Sequence, residues 1–152
     1  HIAAKFDVCF ALHKADFRLV KSANFLMMAY GLKERIETPT FSCLVNGGEI
    51  FRLGNSEVLF ESVPGHSGGS CFVFYNGVLF SGDSLYADGV GLPAPDEKKE
   101  LLRESLLKWW GKIEPDTLVC PGHGQEKVFC QIRAENKALR AFLRGDGGSN
   151  GE

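Results

Sequence analysis

Short apolar runs alternate along the chain with turns rich in glycine, asparagine and proline. Runs of strand length, which predict buried β-strands, lie at residues 6–12, 57–63 and 117–120. Residues 70–75 and 78–81 flank Asn76-Gly77. Because Asn-Gly supplies the positive φ angles of a type I′ turn, these two runs predict a β-hairpin.

The remaining segments predict one more strand pair and three helices. The strand pair is expected at residues 41–53, around the turn residues Asn46-Gly47-Gly48. Helical spacing of apolar residues predicts helices at residues 15–32, at residues 97–110 with Asp96 as cap and Gly111 as stop, and within residues 125–143.

This order of elements predicts the fold class. Hairpins followed by alternating strands and helices favour a layered α/β (α+β) sandwich. The 152 residues contain no internal repeat and no linker, so we expect a single domain over residues 1–144. The glycine-rich residues 145–152 are expected to form a disordered tail.

Composition narrows the classes of partner. The chain has 17 Lys and Arg against 19 Asp and Glu, so no basic field exists to attract nucleic acid, and a small-molecule or protein partner is expected. The longest apolar run, at residues 25–30, is far shorter than the about 20 residues of a membrane-spanning helix. Five cysteines without a C-x-x-C pair indicate reduced core thiols in a cytoplasmic protein.

Three predicted strands end in the same way, with a possible metal ligand just beyond the strand. The strand at 57–63 leads to His66, the strand at 78–81 leads to Asp83, and the strand at 117–120 leads to His123. Ligands gather at strand ends in α/β sheets. Two imidazoles and a carboxylate suit Zn²⁺ or Fe²⁺, and a carboxylate can bridge two ions. We therefore expect the three side chains to converge within about 6 Å of each other.

Each residue taken alone also fits a structural role. A histidine after Pro-Gly is commonly a turn residue, and Asp83 could cap the segment that follows it. His13 is interpreted as a strand-end histidine, with metal binding a minor alternative. The joint pattern of His66, Asp83 and His123 favours the metal site.

The segments around these residues resemble a known family. Residues 64–70 (PGHSGGS), 79–86 (LFSGDSLY) and 116–124 (DTLVCPGHG) resemble the third, fourth and fifth metal-binding motifs of metallo-β-lactamase-fold hydrolases. The Gly-Asp pair is most similar to the glyoxalase II branch. The resemblance implies an αββα sandwich in which His66 binds one metal, Asp83 bridges two metals and His123 binds the second.

One family motif, H-x-H-x-D-H, is not found in these residues. The resemblance therefore implies an N-terminally truncated sandwich, and the helical glutathione-binding appendage of glyoxalase II also has no counterpart here. His1 is either the last histidine of the missing motif, and then a metal ligand, or a remnant of a purification tag.

These observations predict a metal-dependent, glyoxalase II-like hydrolase. The resemblance implies a two-zinc centre, with Fe²⁺ possible, in which Asp83 is catalytic and metal-bound hydroxide attacks a thioester or ester. One alternative is a truncated, non-catalytic remnant that acts as an oligomeric interaction module, and another is a persulfide dioxygenase-like iron enzyme. A homodimer or higher homo-oligomer is expected, because loss of the first half would uncover Phe72, Phe74, Leu79 and Phe80.

Overall fold

A computed structural model describes residues 5, 6, 8–91 and 98–145. His1, the predicted Asp96 cap and residues 146–152 of the predicted tail lie outside this part of the chain. The described elements, in chain order, are β1 (Ala11–His13), α1 (Phe17–Lys21), α2 (Ala23–Ala29), β2 (Cys43–Val45), β3 (Glu49–Leu53), β4 (Ser56–Ser62), β5 (Cys71–Tyr75), β6 (Val78–Gly82), α3 (Lys99–Trp110), β7 (Leu118–Pro121), β8 (Lys127–Val128), α4 (Phe129–Glu135) and α5 (Lys137–Arg144).

The strands form two sheets, as expected for the predicted mixed α/β fold. β3 to β8 make a six-stranded sheet in sequence order, in which β6 and β7 are parallel and the other neighbours are antiparallel. β1 and β2 form a separate parallel pair. Because β4, β6 and β7 all run in the same direction, their C-terminal ends lie at one edge of the large sheet.

The helices α3, α4 and α5 supply the other half of the core. Phe72, Leu79 and Val119 of the sheet are fully buried in one cluster with Leu102 of α3 and Ile132 of α4. Burial of such side chains contributes about 1.5–3 kcal/mol each. This packing fixes the position of the helices on the sheet.

The sequence prediction of an uncovered inner face is wrong for most of its residues. Phe72 and Leu79 are 0% exposed, and the rings of Phe72 and Phe74 pack edge-on or tilted against Trp109 of α3. Neighbouring strand residues point to opposite faces, and Phe80, next to Leu79, is 47% exposed. The chain therefore covers one face of its sheet itself, and the homodimer stays a prediction.

One predicted hairpin is present and the other is not. Asn76 and Gly77 both have positive φ, and Tyr75 pairs with Val78, so the type I′ hairpin is confirmed. The hairpin predicted around residues 46–48 is wrong, because β2 pairs with β1 and β3 pairs with β4. The carboxylate of Glu49 accepts hydrogen bonds from the backbone N–H groups of residues 46 and 47, which turns the chain from the small sheet into the large one.

Each predicted helical segment contains helix, but the first and the last are divided into shorter elements. Residues 15–32 form a 3₁₀ turn, α1 and α2, and this segment ends at Gly31 as predicted. The single helix predicted within residues 125–143 is wrong. It is a short strand and two helices, because Asn136, with ψ of 89°, ends α4 and caps α5 through its side chain.

His13 has the structural role that was predicted for it. Its Nδ1 accepts a hydrogen bond from the Ala15 N–H at 3.2 Å, so Nε2 carries the proton and donates to the Asn46 carbonyl oxygen at 3.0 Å. Both ring nitrogens are thereby occupied, and His13 caps the 3₁₀ turn after β1.

The cysteines and helices bear on two further predictions. All five cysteines are free thiols, but two are exposed and three are only half-buried, so the prediction that they are core thiols is wrong. No helix among the described residues is long and apolar enough to cross a membrane.

The loop between β4 and β5, which carries His66, is held from two sides. On the α3 side, the Ser105 hydroxyl donates to the Pro64 carbonyl oxygen at 2.7 Å, and a Cβ at Gly65 would overlap the backbone of Leu102. On the other side, the Asp16 carboxylate accepts hydrogen bonds from the Ser67 hydroxyl at 2.5 Å and the Gly69 N–H at 2.8 Å.

Gly65→Ala is expected to destabilise the protein by about 3–4 kcal/mol, because a positive φ is strained for alanine and the new Cβ has no space against α3. Gly54→Ala is the matched control, since Gly54 also has positive φ but open space around it. Its cost should be about 1–2 kcal/mol. Urea unfolding measures both, and equal costs would show that helix contact at Gly65 is unimportant.

Asp16→Ala should cost about 2–3 kcal/mol of unfolding free energy, because the Gly69 N–H and the Ser67 hydroxyl lose a charged acceptor. Asp16→Asn should cost less, since its amide oxygen can accept from Gly69 and its amide nitrogen can donate to Ser67. Thermal unfolding of the two variants tests this order. Equal losses of stability would contradict the role of the two hydrogen bonds that Asp16 accepts.

Candidate metal centre

Asp83 follows β6 at the edge of the sheet where β4 and β7 also end. The register between β6 and β7 shifts between Phe80 and Gly82, and this irregularity turns the chain at the end of β6. The Gly122 N–H donates to the Gly82 carbonyl oxygen at 2.8 Å, which joins the loops after β6 and β7. A Cβ at Gly122 would overlap Oδ1 of Asp83, so glycine is required for the carboxylate to lie there.

Both predicted histidines face the same oxygen of Asp83. His66 Nε2 lies 3.7 Å from Asp83 Oδ2, and His123 Nε2 lies 3.6 Å from the same atom. These distances exceed those of hydrogen bonds. Two donors that each lie about 2.1 Å from a tetrahedral ion would be about 3.4 Å apart, which is close to both values. The predicted convergence is confirmed for each histidine with Asp83, while metal ligation stays a prediction.

The orientation of His66 leaves its Nε2 lone pair free. Its Nδ1 lies 3.3 Å from the Gly91 carbonyl oxygen, and because a carbonyl can only accept, Nδ1 carries the proton. Nε2 then presents its lone pair toward Asp83. This is the division of roles found in metal-binding histidines, where the second nitrogen donates to a carbonyl or carboxylate.

His123 lies on the open side of the site. Its side chain is 79% exposed, against 37% for His66. Beside it lies a groove of about 290 Å³ lined by Tyr86, Ala87, Asp88, Gly89, His123, Gly124 and Gln125. A small molecule can therefore reach the Asp83–His123 side of the centre directly from solvent.

Tyr86 is a residue of the site that the sequence did not single out. It follows Asp83 by three positions and lines the groove. Burial raises the pKa of its phenol, and the neighbouring Asp83 carboxylate raises it further. The phenol thus stays protonated to higher pH than usual. The signal was a polar aromatic residue within the Gly-Asp motif.

His66, Asp83 and His123 fit a metal centre in the type and spacing of their donor atoms, but they supply only some of the ligands that it would need. Oδ1 of Asp83 is buried and has no hydrogen-bond partner, which is unusual for a buried carboxylate. Among the described residues, no group of three or more His, Cys, Asp or Glu side chains is placed to hold one ion. Instead, two His–Asp pairs share Asp83, so each ion would gain two ligands here and need others. His1 stays an untested candidate.

The sequence profile of the Metallo-beta-lactamase superfamily matches residues 45–123, just over half of the chain. A hydroxyacylglutathione hydrolase of Halorhodospira halophila is 35% identical over 56% of this chain and 33% of its own length. A second, from Cereibacter sphaeroides, is 26% identical over 84% of this chain and 51% of its own length. The chain thus spans one third to one half of these two relatives.

Two solved structures share the fold over most of the chain. The BLEG-1 B3 metallo-beta-lactamase has a TM-score of 0.75 and 26% identity, covering 90% of this chain and 67% of that protein. TTHA1623 in a di-iron-bound form has a TM-score of 0.67 and 27% identity, covering 89% of this chain and 67% of that protein.

The family profile covers β3 to β7 and includes the loops that carry His66, Asp83 and His123. The sequence relatives and the similar solved structures point to the same family as the profile does. The chain belongs to the metallo-beta-lactamase superfamily.

Proposed function

We propose that this chain carries part of the two-metal centre of a glyoxalase II-like hydrolase that cleaves a thioester or ester. The observation that supports this most is the position of Asp83 Oδ2, within 3.7 Å of His66 and 3.6 Å of His123. Sequence relatives that are named as hydrolases also support this proposal. They include the hydroxyacylglutathione hydrolases and a probable zinc-dependent hydrolase, PksB of Bacillus subtilis, which is 27% identical over 65% of this chain.

The side chains divide the work in this proposal. When bound, a pair of Zn²⁺ or Fe²⁺ ions supplies Lewis acidity toward a carbonyl group and activates water. His66 offers a lone pair whose direction the Gly91 carbonyl fixes, and His123 offers a second one beside the groove. Asp83 lies between them as the shared carboxylate and would neutralise positive charge at the centre.

Tyr86 completes the proposed centre as a hydrogen-bond donor to substrate. Tyr86 lines the groove beside His123, and burial together with the neighbouring Asp83 carboxylate raises the pKa of its phenol, which favours the protonated form. A donor in this position can stabilise the negative charge that develops on a carbonyl oxygen during attack. The small residues Ala87, Gly89 and Gly124 leave room for the acyl group.

The substrate is proposed only at the level of its reacting bond. The groove is open and is lined by small residues, which suits a compact acyl group rather than a large one. The glutathione carrier of the relatives is not transferred to this chain, because it spans only a third to a half of their lengths.

Asp83→Ala is expected to abolish metal binding, because one carboxylate oxygen serves both histidines. Asp88→Ala is the matched control, a carboxylate five positions later whose side chain is 81% exposed and pairs with Lys127. Metal content after incubation with Zn²⁺, measured by plasma mass spectrometry, should fall to background in the first variant alone. Zinc retained by the Asp83 variant would place the site elsewhere.

Tyr86→Phe is expected to lower kcat for thioester hydrolysis by about tenfold or more without changing the metal content, because a hydrogen bond to the developing oxyanion is lost. Release of free thiol measures the rate. An unchanged kcat would remove Tyr86 from the proposed mechanism.

The same assays separate the alternatives. Iron content with sulfur-dependent oxygen uptake and no thioester cleavage would favour a persulfide dioxygenase-like enzyme. Absence of both metal binding and hydrolysis would favour a non-catalytic interaction module.

A further inference from the structure

Asn136, which lies between α4 and α5, is a buried amide that uses all its polar atoms. Asn136 is 2% exposed. Oδ1 accepts a hydrogen bond from the Leu139 N–H at 2.8 Å. Nδ2 donates to the carbonyl oxygens of Tyr86, at 3.2 Å, and Gly89, at 3.0 Å. Because a backbone N–H can only donate, the amide orientation is fixed, with Nδ2 toward the two carbonyls.

The carbonyl oxygens of Tyr86 and Gly89 belong to the loop that follows Asp83 and reaches the backbone partner of His66. This loop, residues 83–91, begins at Asp83 and ends at Gly91, whose carbonyl oxygen accepts from His66 Nδ1. A Cβ at Gly91 would overlap the Asp83 carbonyl oxygen, so the two ends of the loop pack against each other. A shift in the middle of the loop would therefore displace the group that orients His66.

Other contacts also hold this loop, and a β-bridge joins Leu85 to Val90 within it. The Ser81 hydroxyl donates to the Leu85 carbonyl oxygen at 2.7 Å, which fixes the part nearest β6. The ion pair of Lys127 with Asp88 lies at the surface, where such a pair contributes little. Asn136 is buried, and its two donated hydrogen bonds tie the loop to the junction of α4 and α5 at Tyr86 and Gly89, close to Gly91, the partner of His66.

We propose that Asn136 is a positioning residue of the metal centre. Its amide holds the loop at Tyr86 and Gly89 so that the Gly91 carbonyl keeps the proton of His66 on Nδ1 and the Nε2 lone pair toward Asp83. The ligand role of His66 in this inference rests on the proposed function. The tautomer of His66 does not, because it exists in the metal-free protein.

Two substitutions separate positioning from helix capping. Asn136→Ser and Asn136→Asp both retain an oxygen that can accept from the Leu139 N–H, and both residues are good helix N-caps. Neither reproduces the two donations to the loop carbonyls. Asn136→Asp keeps the size but adds charge, whereas Asn136→Ser adds no charge but is smaller, so an effect common to both reports the lost donors.

Asn24→Ser and Asn24→Asp are the matched controls. The Asn24 amide also pairs with backbone, since it donates to the Ile36 carbonyl oxygen at 2.9 Å and accepts from the Ile36 N–H at 2.7 Å. It lies on α2, in a segment that contributes no residue to the centre. The same chemical changes there should leave His66 unaffected.

The first measurement is long-range ¹H–¹⁵N NMR of the histidine rings in the metal-free protein. His66→Gln assigns the His66 signals. The native protein and both Asn24 variants should show His66 protonated at Nδ1. Both Asn136 variants should show a mixture of tautomers or protonation mainly at Nε2.

The second measurement is Co²⁺ affinity by visible absorption, together with the urea unfolding midpoint. Both Asn136 variants should bind Co²⁺ about 10–100-fold more weakly than the native protein, as is typical when a partner of a ligating histidine is lost. The Asn24 variants should bind as the native protein does.

Either of two results would overturn the inference. One is a native His66 tautomer and native Co²⁺ affinity in both Asn136 variants. The other is a loss of Co²⁺ affinity that merely follows the unfolding midpoint across the Asn136 and Asn24 variants alike. If the native protein binds no metal but the tautomer changes as expected, the proposed function fails and the positioning role of Asn136 stands.

Discussion

The close packing of glycine backbone around the Asp83 carboxylate is the constraint on which the candidate centre depends. Oδ1 lies where a side chain at Gly122 would be, and the Asp83 carbonyl oxygen lies where a side chain at Gly91 would be. Because Asp83 packs against these two glycines, its carboxylate can present Oδ2 to both His66 and His123. The centre therefore requires the loops after β6 and β7 to approach each other, and the Asp83 loop to pack against itself, more closely than ordinary side chains allow.

The hydrophobic core makes that approach possible by fixing the elements that support each loop. α3, anchored by Leu102, contacts Gly65 and holds the His66 loop through Ser105. The junction of α4 and α5, anchored by Ile132 and Leu139, presents Asn136 to the Asp83 loop. Burial of apolar surface is non-directional, and these few hydrogen bonds convert it into defined positions at the edge of the sheet.

The two sides of the centre differ in their access to solvent, and this difference suggests how they divide binding and orientation. His66 is partly enclosed and has a fixed ring orientation, whereas His123 is mostly exposed beside the groove. A reacting group would approach from the His123 side, where Tyr86 lies. A shared fold does not by itself define a substrate, so variation in such a groove is where members of a superfamily can differ.

The sequence by itself determined the features that depend on local chemistry. Asn76-Gly77 specified its own hairpin, and the recurrence of a ligand residue after each of three strands identified His66, Asp83 and His123. The break of the last helix at Asn136 and the crossover at residues 46–48 were not predicted, because they depend on pairing with distant strands and loops. Only the tertiary structure showed which residues support the site. Asp16, Gly91 and Asn136 act through hydrogen bonds that span 25 to 53 positions, and no local pattern encodes a contact over that separation.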